Sequence, residues 1–557
     1  MSIPRVFAAI LFIAVILPAQ IPTSTTPEAA VAAAVASLEQ RQTVQRLSQI
    51  LRTLQTNMKV AANVQTEVDQ LAAEATALQN AGNAGEARRR LLHAIAVQRS
   101  LPWNARAEFA GSLQLRTNTV VADSSQTFYA QLTQGYDAPY RSEKGLRMHV
   151  TLADFAVPGK VLRDLGTFEV YARDLIDEPY NFSANLQGMA DGPYQVAAEV
   201  ADGSASPGRP SMNILTVRNL DGQHAAIEQR LAKIRGFDST KATIRYPFDY
   251  ARVINLGRRD LIPGRNPEDS TTNAYYDFSA EIRNSMTLLK SLEAGKDPLV
   301  RSKGEHARHY AFAEGGEIMP YRVFVPSKYN GKTKLPLVVV LHGSGADQDT
   351  YFKLRGPALT TEAEKHGFII VTPLGYRPTG GWGRSGSPLG APGGARGGAP
   401  AGARSGAPAG ARGGAPAPDA GRARISELSE KDAFNVIELV ANEYNVDRSR
   451  MYLMGNSMGG AGTWYLGTKF PERWAAIAPA ASPSVGEGFP IETLKRMAVL
   501  YTVGEKDNVE RSREMIRWLK ERGLDIPYNE VKDGTHDLSV WQNLPNIFNF
   551  FEKYRRQ

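Results

Sequence analysis

The sequence predicts a multidomain chain. An N-terminal α-helical segment precedes a β-sandwich accessory domain and a C-terminal α/β domain on a mostly parallel sheet. Three observations carry this. Apolar residues recur at steps of three and four from Val44 to Leu78, alternate in short runs between Gly111 and Leu220, and from Leu335 onward form strand-like runs separated by amphipathic helical ones. The length of 557 residues suits about three or four domains. An apolar fraction of 42% and a charged fraction of 22% are those of a globular protein.

Residues 1–20 read as a signal peptide: Arg5, then the apolar run Val6–Leu17, then Pro18-Ala19-Gln20. That run of twelve is too short to cross a bilayer. The mature protein is therefore expected to be periplasmic or secreted, without stable membrane association once the peptide is removed. The chain has no cysteine, hence neither a disulfide framework nor a lipid attachment site.

Residues 27–110 are expected to form a helical hairpin or small bundle. Val44, Leu47, Leu51, Leu54 and Met58 lie on one helical face, and Val64, Val68, Leu71, Ala75 and Leu78 on another, with a turn at Asn80–Asn83. Residues 111–220 change to a period of two. Met148–Leu152, Thr167–Tyr171, Tyr194–Val200 and Asn213–Val217 read as strands between Gly- and Pro-bearing turns, a spacing that suggests a sandwich, immunoglobulin-like in outline. Residues 221–305 read as a helical connector, with helices at His224–Ile234 and Ala280–Leu292.

Residues 306–557 form the expected catalytic domain. Met319–Val325, Leu335–Leu341 and Phe368–Thr372 are its first strands, and Ala433, Val436, Ile437, Val440 and Tyr444 give a helix one apolar face. An insert, 380–424, interrupts them. It is Gly/Ala/Pro/Arg, nearly repeats the octamer Gly397–Arg404 as Ser405–Arg412, and has almost nothing large to bury, so disorder is expected there. Six arginines against one aspartate give it +5 of the chain's net +8. No aromatic or base-reading side chain is interleaved with those arginines, which argues against a nucleic-acid partner. Trp382 stands at the root of the insert, placed either to line an acyl pocket or to anchor the loop.

The chemistry is expected at Gly455-Asn456-Ser457-Met458-Gly459. An apolar strand, Met451–Met454, turns here into a helix expected from Ala461 to Phe470. A G-x-S-x-G turn of this kind exposes one serine hydroxyl, and with it the next N–H, at the carboxyl end of a sheet. The serine needs a base, and the base needs an orienting acid. His536 follows the strand Ile526–Val531. Asp507 follows the strand Met497–Val503 and stands just before Asn508, a candidate N-cap; Glu505, Asp533 and Asp537 are the rival acids. Oxyanion donors are expected at Met458 N–H and at Ser344 or Gly345, in the turn after Leu341, where His342 reads as a structural hydrogen-bonding residue. Asn456 flanks the nucleophile and is a candidate for substrate contact. No H-E-x-x-H or phosphate-binding glycine loop before a lysine occurs, so neither metal nor organic cofactor is expected.

His342-Gly-Ser-Gly, Gly455-Asn-Ser-Met-Gly-Gly, Ala475-Ala-Ile-Ala-Pro-Ala and Gly534-Thr-His536 resemble the extracellular serine carboxylesterases of the α/β-hydrolase superfamily. The nearest groups are the feruloyl esterases and the polyhydroxybutyrate depolymerase-like esterases, which shade into prolyl-oligopeptidase-type catalytic domains. The resemblance spans roughly 310–554. It implies an α/β-hydrolase fold and hydrolysis of carboxylic esters, bulky or polymeric ones included, and is silent about the N-terminal half. Those esterases often carry disulfides; this chain has none to make. Two other readings compete: a prolyl-oligopeptidase-like peptidase, and a binding protein whose hydrolase domain is a relic. No blade-like repeat precedes the domain, which counts against the first; an intact set of three groups counts against the second.

Overall fold

The computed structural model describes residues 44–556 except 139, 141–144, 156, 158–159, 176–178, 205, 209, 257–275 and 385–419. The expected signal peptide, the first part of the expected helical segment and most of the expected insert lie outside these residues.

Four helices open the described chain: α1 (44–57), α2 (Ala62–Asn80), α3 (Ala84–Gln98) and α4 (Ala105–Ser112). Asn83 and Asn104 cap the last two, each side chain accepting an N–H of the first turn. Eight strands follow: β1 (Leu113–Thr117), β2 (Val121–Asp123), β3 (Thr127–Gln134), β4 (Leu146–Asp154), β5 (Val161–Val170), β6 (Tyr180–Asn185), β7 (Gly192–Val200) and β8 (Ser211–Val217). They form two sheets, ordered β1-β3-β6 and β2-β8-β7-β4-β5. Pairing is antiparallel except between β2 and β8. Phe128 and Leu132 from one sheet, Val150 and Val196 from the other, and Leu91 and Ile95 of α3 share one core.

The connector holds α5 (Leu220–Leu231), α6 (Asp238–Asn255) and α7 (Phe278–Glu293). The α6 helix was not among the expected ones, and Pro247 sits inside it. An interior proline costs a helix about 3 kcal/mol. Burial of Ile244, Phe248, Ala251 and Ile254 against Leu215 and Val217 of β8 and Ile282 and Leu289 of α7 offsets that cost.

The C-terminal domain comprises β9 (Gly304–Phe312), β10 (Glu317–Val325), β11 (Leu335–Leu341), α8 (Thr350–Lys353), β12 (Leu354–Pro357), α9 (Ala358–His366), β13 (Ile369–Pro373), α10 (Ala420–Glu443), β14 (Val446–Asn456) and α11 (Met458–Lys469). It continues with β15 (Ala476–Ala480), α12 (Ile491–Leu494), β16 (Ala498–Val499), β17 (Tyr501–Gly504), α13 (Val509–Glu521), β18 (Tyr528–Val531), α14 (Ser539–Gln542) and α15 (Leu544–Glu552). Its sheet runs β9-β10-β13-β11-β14-β15-β17-β18, with β16 beside β15. Only the β9–β10 and β10–β13 pairings are antiparallel; the rest are parallel. Successive residues of β11 enter two cores: Leu337, Val339 and Leu341 one, Val338 and Val340 the other. A strand covered on both faces must be apolar throughout, which is why Leu335–Leu341 reads as it does.

Of the boundaries that differ from the expectations, three lie beside the expected site. The helix expected to begin at Ala461 begins at Met458, directly after the serine. The strand expected over Met497–Val503 is split into β16 and β17. The insert is shorter than 380–424, since Gly381–Gly383 form a helical turn around a buried Trp382 and α10 begins at Ala420.

Candidate active site

Ser457 stands between the end of β14 and the start of α11, at φ 58° and ψ −117°. Few L-residues tolerate this region, and holding one there costs about 1–3 kcal/mol. The surroundings impose it. The Ser457 N–H donates to Ala480 O at 3.0 Å, and its carbonyl accepts from Ala461 N at 2.9 Å. A Cβ at Gly455 would stand 2.6 Å from the Gly459 backbone, and one at Gly459 would collide with Leu341 O, so the turn closes only with glycine at both positions.

The expected acid and base, Asp507 and His536, lie on the loops after β17 and β18. His536 Nδ1 lies 2.9 Å from Asp507 Oδ2. Asp507 is buried, whereas the imidazole is 43% exposed and so open to a substrate. The rival acids are engaged elsewhere: Glu505 accepts the Asp533 N–H at 3.0 Å, and Asp533 pairs with Lys506 at 2.8 Å. The charge of Asp537 adds to the rise in the His536 pKa, behind the larger effect of Asp507. The two loops are also joined by Lys506 N–H to Gly534 O at 2.9 Å and Glu505 N–H to Val531 O at 3.1 Å. The Asp507 bond raises the His536 pKa above the ordinary imidazole value, against the opposing effect of burial; the charges of Asp507 and Asp537 add to the rise. Asn508 stands at the N-cap of α13 as expected, but its side chain makes no capping bond.

Asn456 does not face a substrate. Its Nδ2 donates to His536 O at 3.1 Å, and the residue is only 7% exposed. It ties the nucleophile turn to the histidine loop. Trp382 needs the same correction. It is fully buried, its Nε1 donates to His342 O at 3.3 Å and its N–H to Ser429 Oγ at 3.0 Å. A ring with no exposed surface anchors the loop and cannot wall an open pocket.

The two expected donor sites fare differently. Met458 is the first residue of α11, so its N–H has no acceptor within the helix. Gly345 is excluded as a donor because its N–H goes to Pro378 O at 2.8 Å. Ser344 remains. The carbonyl of the preceding Gly343 faces His342 Nδ1 at 2.8 Å and accepts from Ala346 N at 3.2 Å. In a trans peptide the Ser344 N–H must point the opposite way. Gly343 lies beside the nucleophile, as a Cβ there would stand 3.6 Å from Ser457 Cβ.

Two carboxylates behind this loop escaped the sequence reading. Asp432, fully buried in α10, accepts from Tyr310 Oη at 2.7 Å, Gly375 N at 2.6 Å and Tyr376 N at 3.1 Å. Burial pushes its pKa up to about 6. It holds the turn whose Leu374 carbonyl stands 2.8 Å from His342 Nε2. Asp347 accepts the Asp349 N–H at 2.9 Å, and burial, together with the Asp349 charge, raises its pKa above the usual carboxylate range. An acidic residue beside the apolar stripe of α10 was the available signal for Asp432; nothing local marks Asp347.

No known family profile matches the chain. Over 208 residues it is 24% identical to the bifunctional acetylxylan esterase/xylanase XynS20E of Neocallimastix patriciarum, a match covering 37% of this chain and 24% of that protein. The chain thus spans about a quarter of that relative's length. Similar solved structures include a thermostable esterase, at 25% identity and a TM-score of 0.33, covering 45% of this chain and 63% of that one. Another is a CE1 ferulic acid esterase from Anaeromyces mucronatus in complex with ferulic acid, at 18% identity and a TM-score of 0.31, covering 46% and 93%. The C-terminal part of the chain thus carries its G-x-S-x-G turn on a mostly parallel sheet, and over 208 residues the chain is similar to a bifunctional acetylxylan esterase/xylanase.

Proposed function

We propose that the chain is a serine hydrolase of carboxylic esters that acts through an acyl-enzyme. The observation that carries this reading is the Asp507–His536 bond, held by Asn456 against the strained turn of Ser457. In the first half-reaction His536 Nε2 takes the Ser457 Oγ proton as the oxygen adds to the ester carbonyl. Asp507 keeps Nδ1 protonated and stabilises the imidazolium. The N–H groups of Met458 and Ser344 receive the oxyanion. When the tetrahedral adduct collapses, the alcohol leaves with the proton held at Nε2. Water then repeats the sequence on the acyl-serine, releasing the acid and restoring Ser457.

A peptidase would use the same three groups, so the triad does not choose between them. The leaving group does: an amine must be protonated as it departs, whereas an alkoxide leaves more readily. The described residues ahead of β9 are helices and two sheets, with no enclosing propeller, which suits an open cleft and a bulky or polymeric ester. The two sheets are read as an accessory sandwich, and the apolar Val6–Leu17 run as an export signal. No helix among the described residues is long and apolar enough to cross a membrane.

The purified chain should be labelled at Ser457 by a fluorophosphonate and should hydrolyse p-nitrophenyl butyrate or methyl ferulate faster than a proline-containing peptide anilide. A lead for the anilide would overturn the ester reading; absence of labelling would favour the relic.

A further inference from the structure

The outer face of the β1-β3-β6 sheet has a composition that packing does not require. Inward residues alternate with outward ones, and the inward Phe128, Leu132 and Phe182 are buried. The register pairs outward residues of β3 with those of β6: Thr127 with Asn185, Tyr129 with Ser183, and Gln131 with Asn181. Tyr129 is 53% exposed, more than any other Phe, Tyr or Trp among the described residues. A strand tyrosine usually hides its ring against a large cross-strand neighbour. Ser183 is too short to cover it, so the ring lies open.

The register sets amide residues to either side of Tyr129: Gln131 on its own strand, and Asn181 and Asn185 on β6. Gln131 Nε2 donates to Asn181 Oδ1 at 2.9 Å, which fixes the two side chains relative to one another. Asn181 Nδ2 is further held by Pro179 O at 3.1 Å. An amide sets a donor beside an acceptor, the arrangement that adjacent hydroxyls of a sugar complement. The outward residues of these strands include no carboxylate, and Arg116, opposite Gln131, is the single charge.

This composition discriminates among partners. An anionic polymer would be met by several cations, whose contacts set both affinity and salt dependence. A protein partner would need a contiguous apolar centre rather than one isolated ring. A pyranose unit presents a C–H face that stacks on an aromatic ring and a rim of neutral hydroxyls that bond to amides. Three strands about 4.8 Å apart and an eight-residue central strand rising about 3.4 Å per residue form a platform long enough for an extended chain.

We infer that the outer face of β1, β3 and β6, with Tyr129 as its stacking platform, binds the neutral backbone of a β-linked polysaccharide that bears the esters. The binding half of this inference is independent of catalysis; only the link to the esters rests on the reading of the active site given above.

The test uses the full chain carrying Ser457→Ala, so that the glycan is not altered, and measures depletion from solution by insoluble deacetylated xylan, with cellulose and mannan in parallel. Retention on at least one of these, competed by soluble oligosaccharides of the same glycan and unchanged at high salt, is expected. Tyr129→Ala should weaken it about tenfold, and Tyr129→Phe, which keeps the stacking ring, should stay within about twofold. Retention of full binding by Tyr129→Ala, loss of binding in salt, or no retention on any of the three glycans would overturn the inference. With Ser457 intact, Tyr129→Ala should hydrolyse soluble p-nitrophenyl acetate at the parent rate, which reports that the fold survives. A chain that binds glycan through Tyr129 yet hydrolyses no ester sinks the catalytic reading and leaves this one standing.

Discussion

The Ser457 side chain is small and partly exposed, so its hydroxyl can be removed without disturbing the turn that strains it. Ser457→Ala is therefore expected to abolish ester hydrolysis, by about 10⁴- to 10⁶-fold, with an unchanged thermal midpoint. Activity above a trace would reassign the nucleophile. In the proposed triad Asp507 acts through its bond to His536, so Asp507→Asn should lower kcat by about 10⁴-fold by favouring the wrong imidazole tautomer. The same bond fixes the pH response. The base must be neutral to accept the serine proton, and its folded-state pKa is raised, so kcat/KM should fall on the acid side with a midpoint above the ordinary imidazole value. In the residual activity of Asp507→Ala that midpoint should move downward. Stability runs the other way. A histidine with a raised folded-state pKa stabilises the fold most below its unfolded value and ceases to do so as pH rises through the folded one. Thermal melts of the parent and His536→Gln should accordingly differ on the acid side of that window and converge on the alkaline side; a difference that grows with pH would contradict the Asp507 assignment.

The turn at Gly381–Gly383 shows how one buried ring organises an element. A Cβ at Gly462 would stand 2.7 Å from Trp382, and so would one at Gly375, so the indole fills the space between α11 and the turn after β13. Trp382→Ala should cost about 3–5 kcal/mol, read as a large drop in thermal midpoint, and should also slow hydrolysis because His342 loses its edge contact with the ring. An unchanged midpoint would mean that the ring is not part of the core. That role was hidden in the sequence, where a tryptophan beside a Gly-rich stretch reads equally well as a pocket wall. Gly345 was hidden for a similar reason: its N–H goes to Pro378 O, on a turn remote in sequence. The elements that could be read were those whose environment repeats along the chain, namely the doubly buried β11 and the strand-turn-helix at Ser457. The short strands β1, β2, β3 and β6 carry too few residues or too many amides for a clear period, and Pro247 masks α6 because tertiary burial overrides local propensity.

At the scale of the whole molecule, α6 is the joint between the sheets of the N-terminal half and the catalytic sheet. Asn255 at its end receives the N–H groups of Val120 and Val121 at 2.9 Å and donates to Val121 O at the same distance. Asp249 accepts the Ile318 N–H at 2.6 Å, and Tyr246 stacks on His309 of β9 with centroids 3.9 Å apart. Arg308 closes the joint from the other side. Its side chain is fully buried and donates to Glu443 at 2.8 and 2.9 Å, to Leu299 O at 2.8 Å and to Ser239 Oγ at 3.0 Å. One guanidinium thus binds the start of α6, the segment after α7 and the end of α10. Removing one member of a buried pair leaves a charge without compensation and costs about 3–5 kcal/mol, whereas replacing both by neutral groups can cost far less. Arg308→Met is therefore expected to lower the thermal midpoint strongly, and the Arg308→Met, Glu443→Gln double variant to recover part of the loss. Because the bond set spans the joint, calorimetry of Arg308→Met should separate the melting of the catalytic sheet from that of the N-terminal half. Ester hydrolysis below the melt should persist, since no triad group touches Arg308. A midpoint equal to the parent's, or a double variant no more stable than Arg308→Met alone, would show that the joint is held by the packing of α6 and not by this ion pair.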